Sequence, residues 1–136
     1  MDQDFGVVIV THGELGASLL DTCRMITGER PGITSVAVKA GQGVDDIRER
    51  IATAIEQVRG QKGVILLVDM FGGTPSNIGL SFLGEKDVEV VTGVNLPMVT
   101  KLRGLSPDLS LRETAAALSN YGKEHIKVAT EYLAGD

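Results

Sequence analysis

The chain has 136 residues, is 43% apolar, and carries 13 basic against 18 acidic side chains for a formal net charge of −5. That length suits one domain able to bury about two-thirds of the surface its unfolded form exposes, and an acidic balance without a basic run excludes a nucleic-acid binder, which needs clustered Lys and Arg to displace counterions from phosphates. The single cysteine, Cys23, excludes a disulfide scaffold, and the longest apolar runs, Val7 to Val10 and Val64 to Val68, fall far short of the roughly 20 residues that cross a bilayer.

Phe5 to Thr11 is dense in β-branched residues and predicts a strand buried on both faces. Leu15, Leu19, Leu20, Cys23 and Ile26 then recur at helical spacing, and Gly28 is placed to stop that helix in a left-handed cap. Ile33 to Lys39 reads as a second strand. Val44, Ile47, Ile51, Ile55 and Val58 step by 3, 4, 4 and 3, the clearest amphipathic helix pattern in the chain. Val64 to Asp69 is a central parallel strand by its composition. It leads into Met70-Phe71-Gly72-Gly73-Thr74-Pro75, where Thr74 is placed to cap a helix whose first residue is Pro75. Val88, Val90 and Val91 mark a fourth strand, followed by Gly93 to Pro97 and a short helix. Ser110 with Glu113 three residues on forms a capping box opening a helix from Leu111 to Tyr121. After Gly122, the stretch His125 to Val128 fits either a helical continuation or an edge strand.

Strands alternating with helices, with no linker or repeat between them, predict one α/β domain over residues 1–136. Its expected form is a doubly wound, mostly parallel sheet in the order 2-1-3-4 with helices on both faces, and with an antiparallel C-terminal edge strand if the stretch after Gly122 pairs. Ligands of such sheets bind outside the carboxyl ends of the strands, where the strand order reverses. Here that point lies between strands 1 and 3, whose ends carry Thr11-His12-Gly13 and Asp69 with the double-glycine loop.

An imidazole at the end of an apolar strand, next to a glycine, can be a nucleophile, a general base or a metal ligand. Alone, His12 serves equally well as a loop or capping residue, and Asp69 as a strand-end residue bonded to turn amides. Their meeting changes the reading: a carboxylate across the crevice accepts the Nδ1 proton, fixes the tautomer and leaves Nε2 free to attack. Gly72, Gly73 and Thr74 supply a third element, since loop amides and a helix start suit a phosphoryl dianion, with the Thr74 hydroxyl as a further donor. Neither a Walker loop nor a dinucleotide fingerprint is present. One Cys and two His far apart offer no metal-ligand spacing, so no metal or other cofactor is expected. His125, among Lys123, Glu124 and Lys127, reads as a solvated surface residue. Met70 and Phe71 read as loop side chains that cover the site, meet a partner or pack in the core.

Three segments carry a resemblance: Val10-Thr11-His12-Gly13, Val68-Asp69-Met70-Phe71-Gly72-Gly73-Thr74-Pro75 and Gly93-Val94-Asn95-Leu96-Pro97-Met98. In this order and separation they resemble the enzyme IIA domain of the mannose-type (mannose/fructose/sorbose) bacterial phosphotransferase system, over nearly the whole chain. The resemblance implies that His12 is phosphorylated, that Asp69 orients its ring, and that Thr74 with neighbouring loop amides holds the phosphoryl group. It implies a doubly wound sheet of four parallel strands plus an antiparallel edge strand, and a homodimer formed by exchanging that strand, for which the stretch after Gly122 is the candidate. Family members are often fused to a IIB domain; this chain ends at Asp136, so a free-standing IIA protein is expected.

The implied activity is that of a phosphocarrier: a phosphotransferase taking a phosphoryl group from HPr and passing it to a IIB protein that serves the IIC and IID membrane components of a sugar permease. Asp2 and Asp4 stand where a signal peptide would be basic, so a cytoplasmic protein is expected. Three alternatives share the site. A dihydroxyacetone kinase phosphocarrier subunit has a similar histidine, but the Gly93 to Met98 segment favours the mannose type. A regulatory module would report metabolic status through its phosphorylation state. A histidine phosphatase, with Arg-His-Gly-Glu after its first strand, would need an arginine where Thr11 stands and a second histidine late in the chain.

Overall fold

The computed structural model describes residues 4–70 and 72–135. In chain order it contains β1 (Phe5–His12), α1 (Leu15–Thr27), β2 (Ile33–Val38), α2 (Val44–Val58), β3 (Gly63–Val68) and α3 (Thr74–Leu80), which runs into a 3₁₀ turn at Ser81–Gly84. Then come β4 (Val88–Thr92), α4 (Leu96–Lys101), α5 (Leu111–Glu124) and α6 (Ala129–Leu133). The four strands form one parallel sheet in the order β2-β1-β3-β4. The predicted order and helix placement both hold.

Alternation along the central strands builds two cores from one sheet. Val8 and Val10 of β1 with Val64, Leu66 and Val68 of β3 face α2 and α3, packing against Ile47, Ile51, Ile55 and Ile78. Val7 and Ile9 with Ile65 and Leu67 face the other way, against Cys23 of α1, Val99 of α4, Leu102 just past its end and Leu118 of α5. An uninterrupted apolar run is what a strand covered on both faces requires.

Local signals and tertiary burial part company at several places. Leu20 and Cys23 of α1 are buried, whereas Leu15 and Ile26, at the two ends of the helix, are exposed. Gly28 ends α1 with the positive φ (+84°) that favours glycine, although its ψ of −174° lies outside the left-handed helical range, and its N–H donates to the Arg24 carbonyl. The Ser110–Glu113 capping box forms as expected, with both reciprocal bonds present. Past α5 the chain pairs with no strand of its own sheet among the described residues; residues 126–128 run without regular structure into the one-turn helix α6, which buries no side chain.

Candidate functional site

The parallel register of β1 and β3 brings their carboxyl ends side by side, Val10 against Val68. His12 closes β1 and Asp69 directly follows β3, so two residues 57 apart in sequence meet at the switch point. Nδ1 of His12 lies 2.8 Å from Oδ2 of Asp69, and the same oxygen accepts the His12 backbone N–H at 2.9 Å. Oδ1 accepts the Met70 N–H at 3.0 Å. The Asp69 side chain is 11% exposed and the imidazole 53% exposed, so a sheltered carboxylate backs an open ring.

Burial pushes the Asp69 carboxyl up. The hydrogen bonds from the His12 backbone and ring, the His12 charge and the Met70 amide outweigh it and hold the group below its ordinary value of 3.8. An ionised Asp69 accepts only, so the Nδ1 proton stays on the imidazole and Nε2 presents its lone pair outward.

Gly72 and Gly73 serve this ring in different ways. Gly72 has φ +96°, a conformation that favours glycine. Gly73 has ordinary extended dihedrals, and its requirement is spatial: a Cβ there would stand 2.9 Å from Cε1 and 3.3 Å from Nε2 of His12. The loop backbone therefore lies directly against the Cε1–Nε2 edge of the ring. Thr74 is the first helical residue of α3 rather than its cap. That place falls to Gly73, whose carbonyl accepts the Asn77 N–H at 2.9 Å, and Pro75 becomes the second helical residue. Thr74 nevertheless borders the open cleft of about 290 Å3 over His12, with Val38, Lys39, Gln42 and Ile47. Met70 is exposed beside it, and Phe71 lies outside the described residues, as do residues 1–3 and 136.

Two supporting residues escape a local reading of the sequence. Thr11 is fully buried, and its hydroxyl accepts the Gly16 N–H at 2.8 Å, satisfying an orphan amide of the first turn of α1, whose cap residue Glu14 makes no side-chain capping bond. Thr11 thereby braces the turn that carries His12; a hydroxyl immediately before the His-Gly pair was the available signal. Asn95 caps α4 through Met98 N–H at 3.0 Å and donates to the Gly122 carbonyl of α5 at 3.1 Å. With Val94 N–H bonded to the Val68 carbonyl at 3.0 Å, the Gly93 to Met98 segment secures the wall behind Asp69.

His125 takes no part. Its Nδ1 lies 2.8 Å from the Tyr121 carbonyl and its ring rests 3.9 Å from the Tyr121 ring. A phosphatase-type second histidine is thus missing from the cleft. Among the described residues no group of three or more His, Cys, Asp or Glu is arranged to hold a metal, and no helix is long and apolar enough to cross a membrane.

Fold and site together define a doubly wound α/β domain with a histidine–carboxylate pair at its switch point. Residues 6–119 match the family model EIIA-man, described as the PTS system fructose IIA component. The chain belongs to this family, the mannose-type enzyme IIA components of the sugar phosphotransferase system, which are phosphotransferases of sugar transport. It is 30% identical over 128 residues to the PTS system fructose-specific EIIA component of Bacillus subtilis strain 168, covering 93% of this chain and 88% of that one. It is 32% identical over 123 residues to the mannose-specific EIIAB component of Escherichia coli K12, of whose length the match spans 38% and of this chain 89%. Among solved structures, the mannose/sorbose specific IIA subunit from Enterococcus faecalis superposes with a TM-score of 0.81 at 25% identity, covering 94% of this chain and 95% of that one.

Proposed function

We propose that residues 1–136 act as one cytoplasmic IIA phosphocarrier domain in which His12 takes a phosphoryl group from the phosphohistidine of HPr and passes it to a IIB protein, for uptake and phosphorylation of a sugar through IIC and IID membrane components. The observation that carries this reading is the 2.8 Å contact of His12 Nδ1 with Asp69, on the side of the ring opposite to its open, loop-facing Nε2. In the transfer, the Nε2 lone pair forms a bond to phosphorus while the donor's N–P bond breaks. The bonding pair stays on the donor nitrogen, whose ring leaves as neutral imidazole. His12 keeps its Nδ1 proton and becomes cationic, and the Asp69 carboxylate offsets that charge. Passing the group to IIB runs the same steps in reverse. The N–H groups of Gly72, Gly73 and Thr74, with the Thr74 hydroxyl, receive the phosphoryl oxygens; first-turn amides lack intrahelical partners and point at bound anions. Phosphoryl transfer asks mainly for positioning and charge stabilisation, which these groups supply.

The test mixes the protein with phosphoenolpyruvate, enzyme I and HPr. The expected product is an acid-labile, base-stable adduct of about 80 Da on His12, the mass of one phosphoryl group. No adduct, or one on another residue, overturns the reading.

The same reading includes a homodimer made by exchange of the C-terminal segment. An open groove of about 450 Å3 runs between the edge of β4 (Glu89 to Thr92) and Arg112, Ala116 and Lys123 of α5. Ile126, Val128, Tyr132 and Leu133 are all exposed on the single chain, 59–78% each. A partner's segment laid along β4 would pair its free edge and cover these residues. Light scattering on the intact protein and on a chain ending at Tyr121 is expected to give a dimer and a monomer; a monomeric intact protein or a dimeric truncated one refutes the exchange.

A further inference from the structure

The cleft over His12 holds one charged contact that the transfer chemistry above leaves unused. β1 and β2 are in register at His12 and Val38, and the Gly13 N–H donates to the Val38 carbonyl at 2.8 Å, so the residue after Val38 emerges beside the imidazole. That residue is Lys39. It lines the same cleft as His12 and Thr74, and among the described residues lining that cleft it is the one cation. Its backbone is fixed, because the Lys39 N–H donates to Oε1 of Gln42 at 2.8 Å and the Gln42 N–H returns to the Lys39 carbonyl at 3.3 Å. Its side chain is held by one exposed ion pair: the ammonium sits 2.9 Å from Oε2 of Glu14, with the two side chains 60% and 64% exposed.

We propose that Lys39 is the cationic partner of a phosphoryl group on Nε2 of His12, and that Glu14 holds the ammonium only while the site is empty. This rests on His12 being the phosphoryl acceptor. An exposed carboxylate–ammonium pair is weak, because water and salt screen it. A phosphoryl group brings about two negative charges and three acceptor oxygens to the cleft, and outcompetes a single carboxylate for a flexible lysine. The charge inventory favours such a cation. Asp69 stays ionised behind the ring and is engaged by the Nδ1 proton, so apart from the ring itself the dianion would otherwise meet only loop amides and the Thr74 hydroxyl, with no side-chain cation among the described residues lining the cleft but Lys39. Arrival of the phosphoryl group then releases Glu14 as an unpaired carboxylate two residues from His12. The loaded and empty forms thus show different charge patterns to a docking protein.

Potassium phosphoramidate tests this without any partner protein. Nε2 of His12 bonds to phosphorus as the P–N bond of the reagent breaks and its protonated amine leaves as ammonia. Labelling of His12 is followed by phosphorus NMR in the wild type, Lys39→Gln, Lys39→Arg and Glu14→Gln, at low and high salt. Lys39→Gln is expected to react about tenfold more slowly and Lys39→Arg within about threefold of the wild type, since a cation at this place is what matters. Glu14→Gln, which frees the ammonium, is expected to react about threefold faster. Salt should slow the wild type more than Lys39→Gln. If His12 is labelled and Lys39→Gln matches the wild type in rate and salt response, or if Glu14→Gln is slower, the role of Lys39 is refuted while His12 stands. If the wild type is not labelled on His12 at all, the acceptor reading falls and this inference with it.

Discussion

At the end of β1, Nδ1 of His12 faces a carboxylate oxygen at 2.8 Å; at the end of α5, Nδ1 of His125 faces a backbone carbonyl, also at 2.8 Å. Both rings are exposed, and both acceptors select the tautomer that leaves Nε2 unprotonated. Tautomer choice therefore does not separate the two histidines. The difference is charge: Asp69 is held ionised, whereas the Tyr121 carbonyl is neutral and can offer only a dipole to a ring that becomes cationic. The surroundings differ as well, for His12 lies against loop backbone at Gly73 and His125 against the Tyr121 ring. The end of a second strand delivers a carboxylate to His12, whereas the helix end at His125 offers its ring only a backbone carbonyl.

The largest expected effect comes from removing each histidine in turn. His12→Ala should lose all phosphoryl labelling by phosphoenolpyruvate, enzyme I and HPr, and His125→Ala should keep it, as read by intact-protein mass spectrometry. Asp69→Asn turns the first environment into a copy of the second, with a neutral acceptor in place of a charged one. Transfer from HPr should slow by about a hundredfold or more, with an unchanged circular dichroism spectrum. A wild-type rate in that variant would mean that tautomer alone is sufficient, and would erase the distinction between the two histidines.

Gly73→Ala probes the other difference. Its Cβ would fall 2.9 Å from Cε1 of His12, so the ring must shift away from the loop. About tenfold slower transfer is expected from such a displacement, with the His12 ring resonances moving in NMR spectra and those of His125 unmoved.

The smallest effect is on stability. Because the Asp69 carboxyl is held below 3.8 in the folded protein, its contribution is fully present above 3.8 and is lost as pH falls through the lower folded value. Urea midpoints measured from neutral to strongly acid pH should therefore fall more steeply with acid in the wild type than in Asp69→Asn. The His125→Ala protein keeps Asp69 and its His12 contacts, so this carboxylate's contribution should fall with acid there as in the wild type.

Part of this site was legible in the sequence because it follows from backbone rules. Continuous apolar runs at Phe5 to Thr11 and Val64 to Asp69 require strands covered on both faces, and the handedness of parallel crossovers then leaves few ways to order them. Once the order is 2-1-3-4, the ends of β1 and β3 must be neighbours, and His12 and Asp69 must meet. The capping box at Ser110 was legible for a similar reason, since its two bonds span only three residues.

Tertiary structure alone decided the rest, wherever a side chain's role depends on what stands across from it. Helical spacing marked Leu15 and Ile26 as apolar positions, but at the two ends of α1 no neighbouring element among the described residues covers them. Composition placed a hydroxyl at Thr74 as a cap, but the loop turns one residue earlier and gives the capping position to Gly73. Thr11 looked like part of a strand, and only the fold shows its hydroxyl meeting the Gly16 amide. Lys39 and Glu14 come from different loops, and only the alignment of two strand ends brings their charges within 2.9 Å. Periodicity records which way a residue faces along its own element; the distance to a residue on another element is set by register, crossover and loop geometry, which no local pattern encodes.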